Sequence, residues 1–193
     1  MADDAIGLRL RPAARNDMDL VLAGTHELAG VEGRPDAVTT DAAGLWRLLT
    51  TPGVAAECVV LERIGPRGPE PIGHAWFFVH ASTFSGERWL YVEDIVVQAP
   101  FRGAGLGRLA MAALARRARE RGCSGMHWSV VEGNAGAVRC YQGLDAMPKA
   151  GSRQFKLEGE PKVAMITRSP ARALWAAAPL MHTTPDPDWP RRA

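Results

Sequence analysis

Between Tyr91 and Gly107 the chain reads YVEDIVVQAPFRGAGLG, an apolar strand that passes through a short turn into glycines opening a helix. The strand Leu90–Val97 is apolar except for Glu93 and Asp94, and Pro100 closes it. Gly103, Gly105 and Gly107 then strip side chains from the first turn of the helix, with Ala104 and Leu106 between them. A helix start of this kind presents backbone N–H groups that lack internal partners and lie at the positive end of the macrodipole. The bare turn would let a phosphorylated ligand come close, and Arg102 and Arg108 add positive charge. Taken alone, the glycines leave a plain strand-to-helix turn open as the alternative. Two better-known phosphate signatures are excluded: there is no Gly-Lys-Ser/Thr ending, and Gly103-x-Gly105-x-Gly107 lacks the Gly-x-Gly-x-x-Gly spacing of dinucleotide folds.

Around this feature, hydropathy patterning predicts a mixed α/β chain. Ile6, Leu8 and Leu10 alternate with polar residues as a half-buried strand that Pro12 stops. Asn16 or Asp17 can cap a helix carrying Met18, Val21, Leu22, Leu28 and Ala29, and Thr40 a shorter one through Leu45, Leu48 and Leu49. Strands follow at Ala56–Ile64 and Ile72–His80, joined by a loop over Gly65–Pro71, and Ser82–Arg88 turns the chain into Leu90–Val97. The helix after the glycines keeps Leu106, Leu109, Ala110, Ala113, Leu114 and Ala118 on one face until Gly122 ends it. A strand is expected at Met126–Val131, then a helix capped by Asn134 and carrying Ala137, Val138 and Tyr141, then a last strand at Arg153–Leu157. Beyond Gly159 six prolines interrupt the chain. Residues 1–159 therefore read as one folded domain and 160–193 as a partly disordered extension, with one short helix from Ser169-Pro170.

Composition narrows the function classes. A net charge of +2 over 193 residues argues against nucleic acid or an acidic membrane as a partner. No apolar run approaches the roughly 20 residues that span a bilayer, and MADDAIG has no signal-peptide pattern, so a cytoplasmic protein is expected. Cys58, Cys123 and Cys140 are odd in number with no CxxC, and the five histidines form no ligand motif, so no metal is implied.

The element order β-α-α-β-β-β-α-β-α-β, with Arg102-Gly103-Ala104-Gly105-Leu106-Gly107 after the fourth strand and Asn134-x-x-Ala137-x-x-x-Tyr141 downstream, resembles the GNAT N-acetyltransferase superfamily. A narrower resemblance is to the diamine (spermidine/spermine) acetyltransferases. Ser82-Thr83-Phe84-x-Gly86, Leu90-Tyr91-x-Glu93-Asp94, His26-Glu27-Leu28-Ala29 with Glu32, Gly122-Cys123 with His127-Trp128, and Phe155-Lys156-Leu157 carry it. The similarity spans about residues 8–159. Departures lie on the acceptor side: Gly133 stands where the family has Trp, Asp145 where it has Gly, and Ser152 where an aromatic residue is usual.

The resemblance implies a mixed, mostly antiparallel sheet flanked by helices, acetyl-CoA as co-substrate without a metal, and a homodimer. It implies direct acetyl transfer to the primary amine of a small molecule, a diamine, polyamine or lysine-like amine. An aminoglycoside-like acceptor, a protein N-terminus, or a non-catalytic acyl-CoA-binding module are the alternatives. The chemistry needs a base for the protonated amine, a polarised thioester carbonyl and a proton for the departing thiolate. Glu93 is the candidate base, directly or through water, and Tyr141 the candidate acid. In a regular strand Asp94 would face away from Glu93 unless a bulge intervenes, and Asp94 and Glu32 are candidates for binding a cationic acceptor. By resemblance, the main chain at Ile95 and Val96 holds the acetyl carbonyl, Val97 pairs with pantetheine, residues Arg102 to Arg108 cradle the pyrophosphate, and Asn134 belongs to the cofactor side.

Overall fold

The computed structural model describes residues 7–149 and residue 151. The chain divides into two compact units, Met1–Ala146 and Met147–Ala193, and the architecture that follows is that of the first. The strand expected at Arg153–Leu157, the helix from Ser169, the boundary at Gly159 and the proline-rich end lie outside the described residues.

Five strands form one sheet in sequential order: β1 (Gly7–Pro12), β2 (Glu57–Gly65), β3 (Gly68–Ser82), β4 (Glu87–Val97) and β5 (Cys123–Trp128). The first three pairings are antiparallel, and among the described residues only β4 and β5 run parallel. A parallel neighbour needs a crossover, which α3 (Leu106–Glu120) supplies; α1 (Met18–Val31) and α2 (Ala42–Thr50) precede β2, and α4 (Ala135–Gln142) follows β5. The expected mixed, mostly antiparallel sheet flanked by helices is the one observed.

Each sheet face buries a different set of helices. Val59, Ala75, Phe77, Leu90 and Val92 pack against Met111, Leu114 and Ala118 of α3. Cys58 and Trp76 pack with Met18 and Val21 of α1 and Leu45 of α2. A polar network closes the other end of α1's face. Arg11 donates from both terminal nitrogens to Asp17 (2.6 and 2.8 Å) and from Nε to Glu62 (2.8 Å), which also accepts from Arg9 (2.7 Å).

Three local expectations shift. Asp41, not Thr40, caps α2: its Oδ1 accepts from the Gly44 N–H at 2.6 Å, because a carboxylate in extended backbone reaches the orphan donor of the first turn. The loop over Gly65–Pro71 shrinks to a tight turn between Gly65 and Gly68, with Gly68 at φ 99°. Pro69 and Pro71 join β3 because β3 meets β4 only from Gly73 onward, so no second neighbour misses their N–H groups. Finally β5 starts earlier than expected, pairing Cys123 with Arg88, and ends at Trp128.

Candidate active site

The site starts from an irregularity in β4. Trp76 pairs with Asp94 while the next β3 residue, Phe77, pairs with Val92, so Glu93 is the extra residue of a bulge. The bulge reverses the alternation of the strand. Val92 belongs to the cluster on the α3 face, whereas Asp94 sits opposite Trp76 of the α1–α2 face.

β5 pairs with β4 only as far as Val92 and Trp128. From Glu93 to Val97 the β4 edge on that side has no strand against it among the described residues. A cavity of about 480 Å³ opens there. Ile95, Val96 and Val97 form one wall, Arg102 and Gly107 of the glycine turn the next, Gly133 to Ala137 with Cys140 and Tyr141 the third, and Leu28 and Val31 of α1 the last.

The glycine turn is built for an uncovered helix start. Gly103 and Gly105 have φ of 83° and 76°, a region L side chains avoid, and no atom lies within 4 Å of where a Cβ would stand on either. Gly105 occupies the cap position of α3 without any side-chain cap, and the helical ladder begins only with Leu109 N–H donating to the Gly105 carbonyl. Leu106 turns its side chain into the core with Leu61, Ile72 and Ala110, so only its main chain is available to a ligand. Arg108 and Ala104 are exposed and do not line the cavity. Asn134 caps α4 as expected, accepting from the Ala137 N–H at 3.1 Å. Two helix starts thus face one cavity.

Arg102 lines the cavity, but its charge is engaged. Nη2 lies 2.6 Å from Glu27 Oε1, and Nε donates to the Val97 carbonyl at 2.7 Å. Glu27 also accepts from the Ala99 N–H at 2.9 Å, which ties α1 to the loop before α3.

The acidic candidates converge from distant parts of the chain. Burial, with the charges of Glu93 and Glu32, pushes the Asp94 carboxyl up to about 6. Glu93 itself is exposed on the bulge. Glu32 caps the C-terminal end of α1, pairs with Arg34, and acts electrostatically on both Asp94 and Tyr141. Tyr141 stacks at a tilt on Trp128, with ring centroids 5.1 Å apart, and burial pushes its phenol up to about 12. Sequence reasoning did not single out the α1 wall of Leu28 and Val31, Cys140, or the Glu27 contacts; the apolar stripe of α1 carried a signal for a buried face but none for a cavity.

A family model described as Acetyltransferase (GNAT) family matches residues 35–145. Among curated relatives, thialysine N-epsilon-acetyltransferase of Bos taurus is 30% identical over 158 residues, covering 78% of this chain and 92% of that protein. An L-ornithine N5-acetyltransferase of Arabidopsis thaliana is 30% identical over 88 residues, 46% of this chain and 39% of that one. Among solved structures, a Trypanosoma brucei acetyltransferase superposes with a TM-score of 0.55 at 25% identity, covering 79% of this chain and 99% of the other. An aminoglycoside acetyltransferase from a soil metagenome, at 16% identity and TM-score 0.60 over 78% of this chain and 97% of its own, shares the fold. The open β4 edge, the uncapped helix start and these likenesses agree: the chain belongs to the GNAT acetyltransferase family and is an N-acetyltransferase.

Proposed function

We propose that the protein transfers acetyl from acetyl-CoA directly to the primary amine of a small cationic molecule, a diamine, polyamine or lysine-like amino acid. The names of the thialysine and ornithine relatives support an acceptor of this class. The observation that carries the reading is Asp94: a buried carboxyl whose charged neighbours are the two acids Glu93 and Glu32. Of the three, Glu32 alone has a cationic partner among the described residues, Arg34, and an alkylammonium would supply a counter-charge for the others.

The residues present fit acetyl-CoA. By the alternation of the ladder, Ile95 and Val97 turn main-chain groups to the open edge of β4, for the acetyl carbonyl and an extended pantetheine, whereas Val96, expected to share the first role, faces His74 of β3, and the Val97 carbonyl already accepts from Arg102. Gly103 to Gly107 present bare N–H groups to a pyrophosphate, and the α4 start at Asn134 adds a second positive dipole end. When bound, the donor supplies the thioester. Glu93 takes the proton of the ammonium, directly or through water, and its exposure lets it pass that proton to solvent. Asp94 and Glu32 hold and orient the cationic acceptor. Tyr141 returns a proton to the departing thiolate; burial, which raises the phenol to about 12, keeps it protonated at physiological pH and at the same time makes it a weaker acid than a free phenol. By resemblance to the diamine acetyltransferases the working form is a homodimer, which sedimentation of the purified protein tests; the small net charge and the absence of a signal pattern support a cytoplasmic place without nucleic-acid or membrane partners.

Incubating the protein with acetyl-CoA and a panel of amines, while following free thiol, separates the readings. Release with spermidine or thialysine is expected. Release only with an aminoglycoside or a peptide N-terminus would move the acceptor, and CoA binding without release for any amine would leave a binding module.

A further inference from the structure

An acidic side chain beside a turn that receives phosphates is electrostatically misplaced unless it has a task. Glu27 is such a group. Its carboxylate holds the Arg102 guanidinium at 2.6 Å, and the same guanidinium donates through Nε to the Val97 carbonyl at 2.7 Å. Arg102 and Val97 both line the cavity, so the cation that lines it beside the glycine turn is bound to α1 and to the β4 edge. Phosphate oxygens entering at Gly103 to Gly107 would compete for that cation.

We propose that Glu27 is a positioning residue that acts through Arg102: it competes with the donor's phosphates for the guanidinium, weakening donor binding and hastening release of the CoA product. The inference rests on the reading of Gly103 to Gly107 as the pyrophosphate turn. Because Glu27 stands on α1, whose end carries Glu32, the exchange of partners also links arrival of the donor to the helix that bears an acceptor carboxylate. The Ala99 N–H contact is a separate anchor, and a glutamine at 27 could keep it while giving up the charge.

Calorimetric titration of CoA into wild type, Glu27→Gln, Arg102→Ala and the double variant tests this. An exposed ion pair of this kind carries modest energy, so Glu27→Gln should bind CoA roughly two- to fivefold more tightly. Arg102→Ala should bind it more weakly, and adding Glu27→Gln to that background should change nothing further. Pantetheine, which lacks the phosphates, should bind wild type and Glu27→Gln alike. Unchanged or weaker CoA binding in Glu27→Gln overturns the proposal. So does equal tightening in the Arg102→Ala background, which would mean simple removal of negative charge. If wild type itself binds CoA no better than pantetheine, the pyrophosphate reading falls and the inference with it. Arg102→Gln replaces the alanine variant if thermal melting shows that the latter does not fold.

Discussion

At the residue scale, the acids of the site set function against stability. Asp94 ionises near 6 in the folded chain but near 3.9 when unfolded, so the native state binds the extra proton between these values. The contribution of Asp94 to stability is therefore fully present below about pH 4 and is lost as pH rises through about 6, amounting to about 2–3 kcal/mol. Asp94→Asn should accordingly be more stable than wild type in urea at pH 8 and equal to it near pH 4. The same variant should raise the acceptor KM roughly tenfold or more, the scale of a lost hydrogen bond to a charged group. A less stable Asp94→Asn at pH 8 would mean that the carboxylate has a cationic partner. Tyr141→Phe should lower kcat by roughly 10²-fold or more without altering CoA affinity, since it removes only the donated proton; wild-type turnover would remove the acid role. Glu93→Gln should slow turnover most below the pKa of the amine and leave CoA affinity nearly unchanged.

At the scale of elements, the network between β1, β2 and the start of α1 is what fixes the helix that carries Glu27 and Glu32. Asp17 and Glu62 are 8% and 5% exposed, and Arg11 bonds to both. Their carboxyls lie below the ordinary range: hydrogen bonding to Arg11 is the largest cause for Asp17, while for Glu62 burial is the largest single influence and pushes upward, and the hydrogen bonds and charges of Arg11 and Arg9 together overcome it. The stability they confer is present at neutral pH and is lost as pH falls through those lowered values. Arg11→Met should cost about 3–5 kcal/mol at pH 7, the scale of a buried charge left without its partner, and less at pH 3, read from urea midpoints. Elements of this kind were legible where local chemistry is decisive: the glycine turn and the Asn134 cap stand where patterning predicts them, and so does most of the buried face of α3, although Leu109 is exposed and Met111 takes a place in the core. The bulge left no trace of its own, since Leu90 to Val92 and Ile95 to Val97 are apolar at odd and even positions alike. Pro69 and Pro71 misled because their fit depends on a missing neighbour of β3, and no sequence window records which strand lies alongside.

At the scale of the whole molecule, the cavity exists because β5 leaves β4 at Val92 while α3 and α4 start on either side of the gap. Nothing in the sequence near Glu32 announces that its charge is felt at Asp94 and Tyr141. That proximity is a property of the fold, which no local periodicity records. One ligand contacting all these walls should tie them together. Saturating CoA at a hundredfold over its Kd should stabilise the protein by about 2.7 kcal/mol. Hydrogen exchange should then slow at Ile95 to Val97, at Gly103 to Arg108 and at Ala135 to Ala137, with β1 and β2 unchanged beyond the global shift. Pantetheine should protect the β4 edge but leave Gly103 to Arg108 exchanging as in the free protein, because only the phosphates reach that turn. Protection at the turn by pantetheine, or none there with CoA, would place the donor elsewhere in the gap and detach Arg102 and Glu27 from its binding.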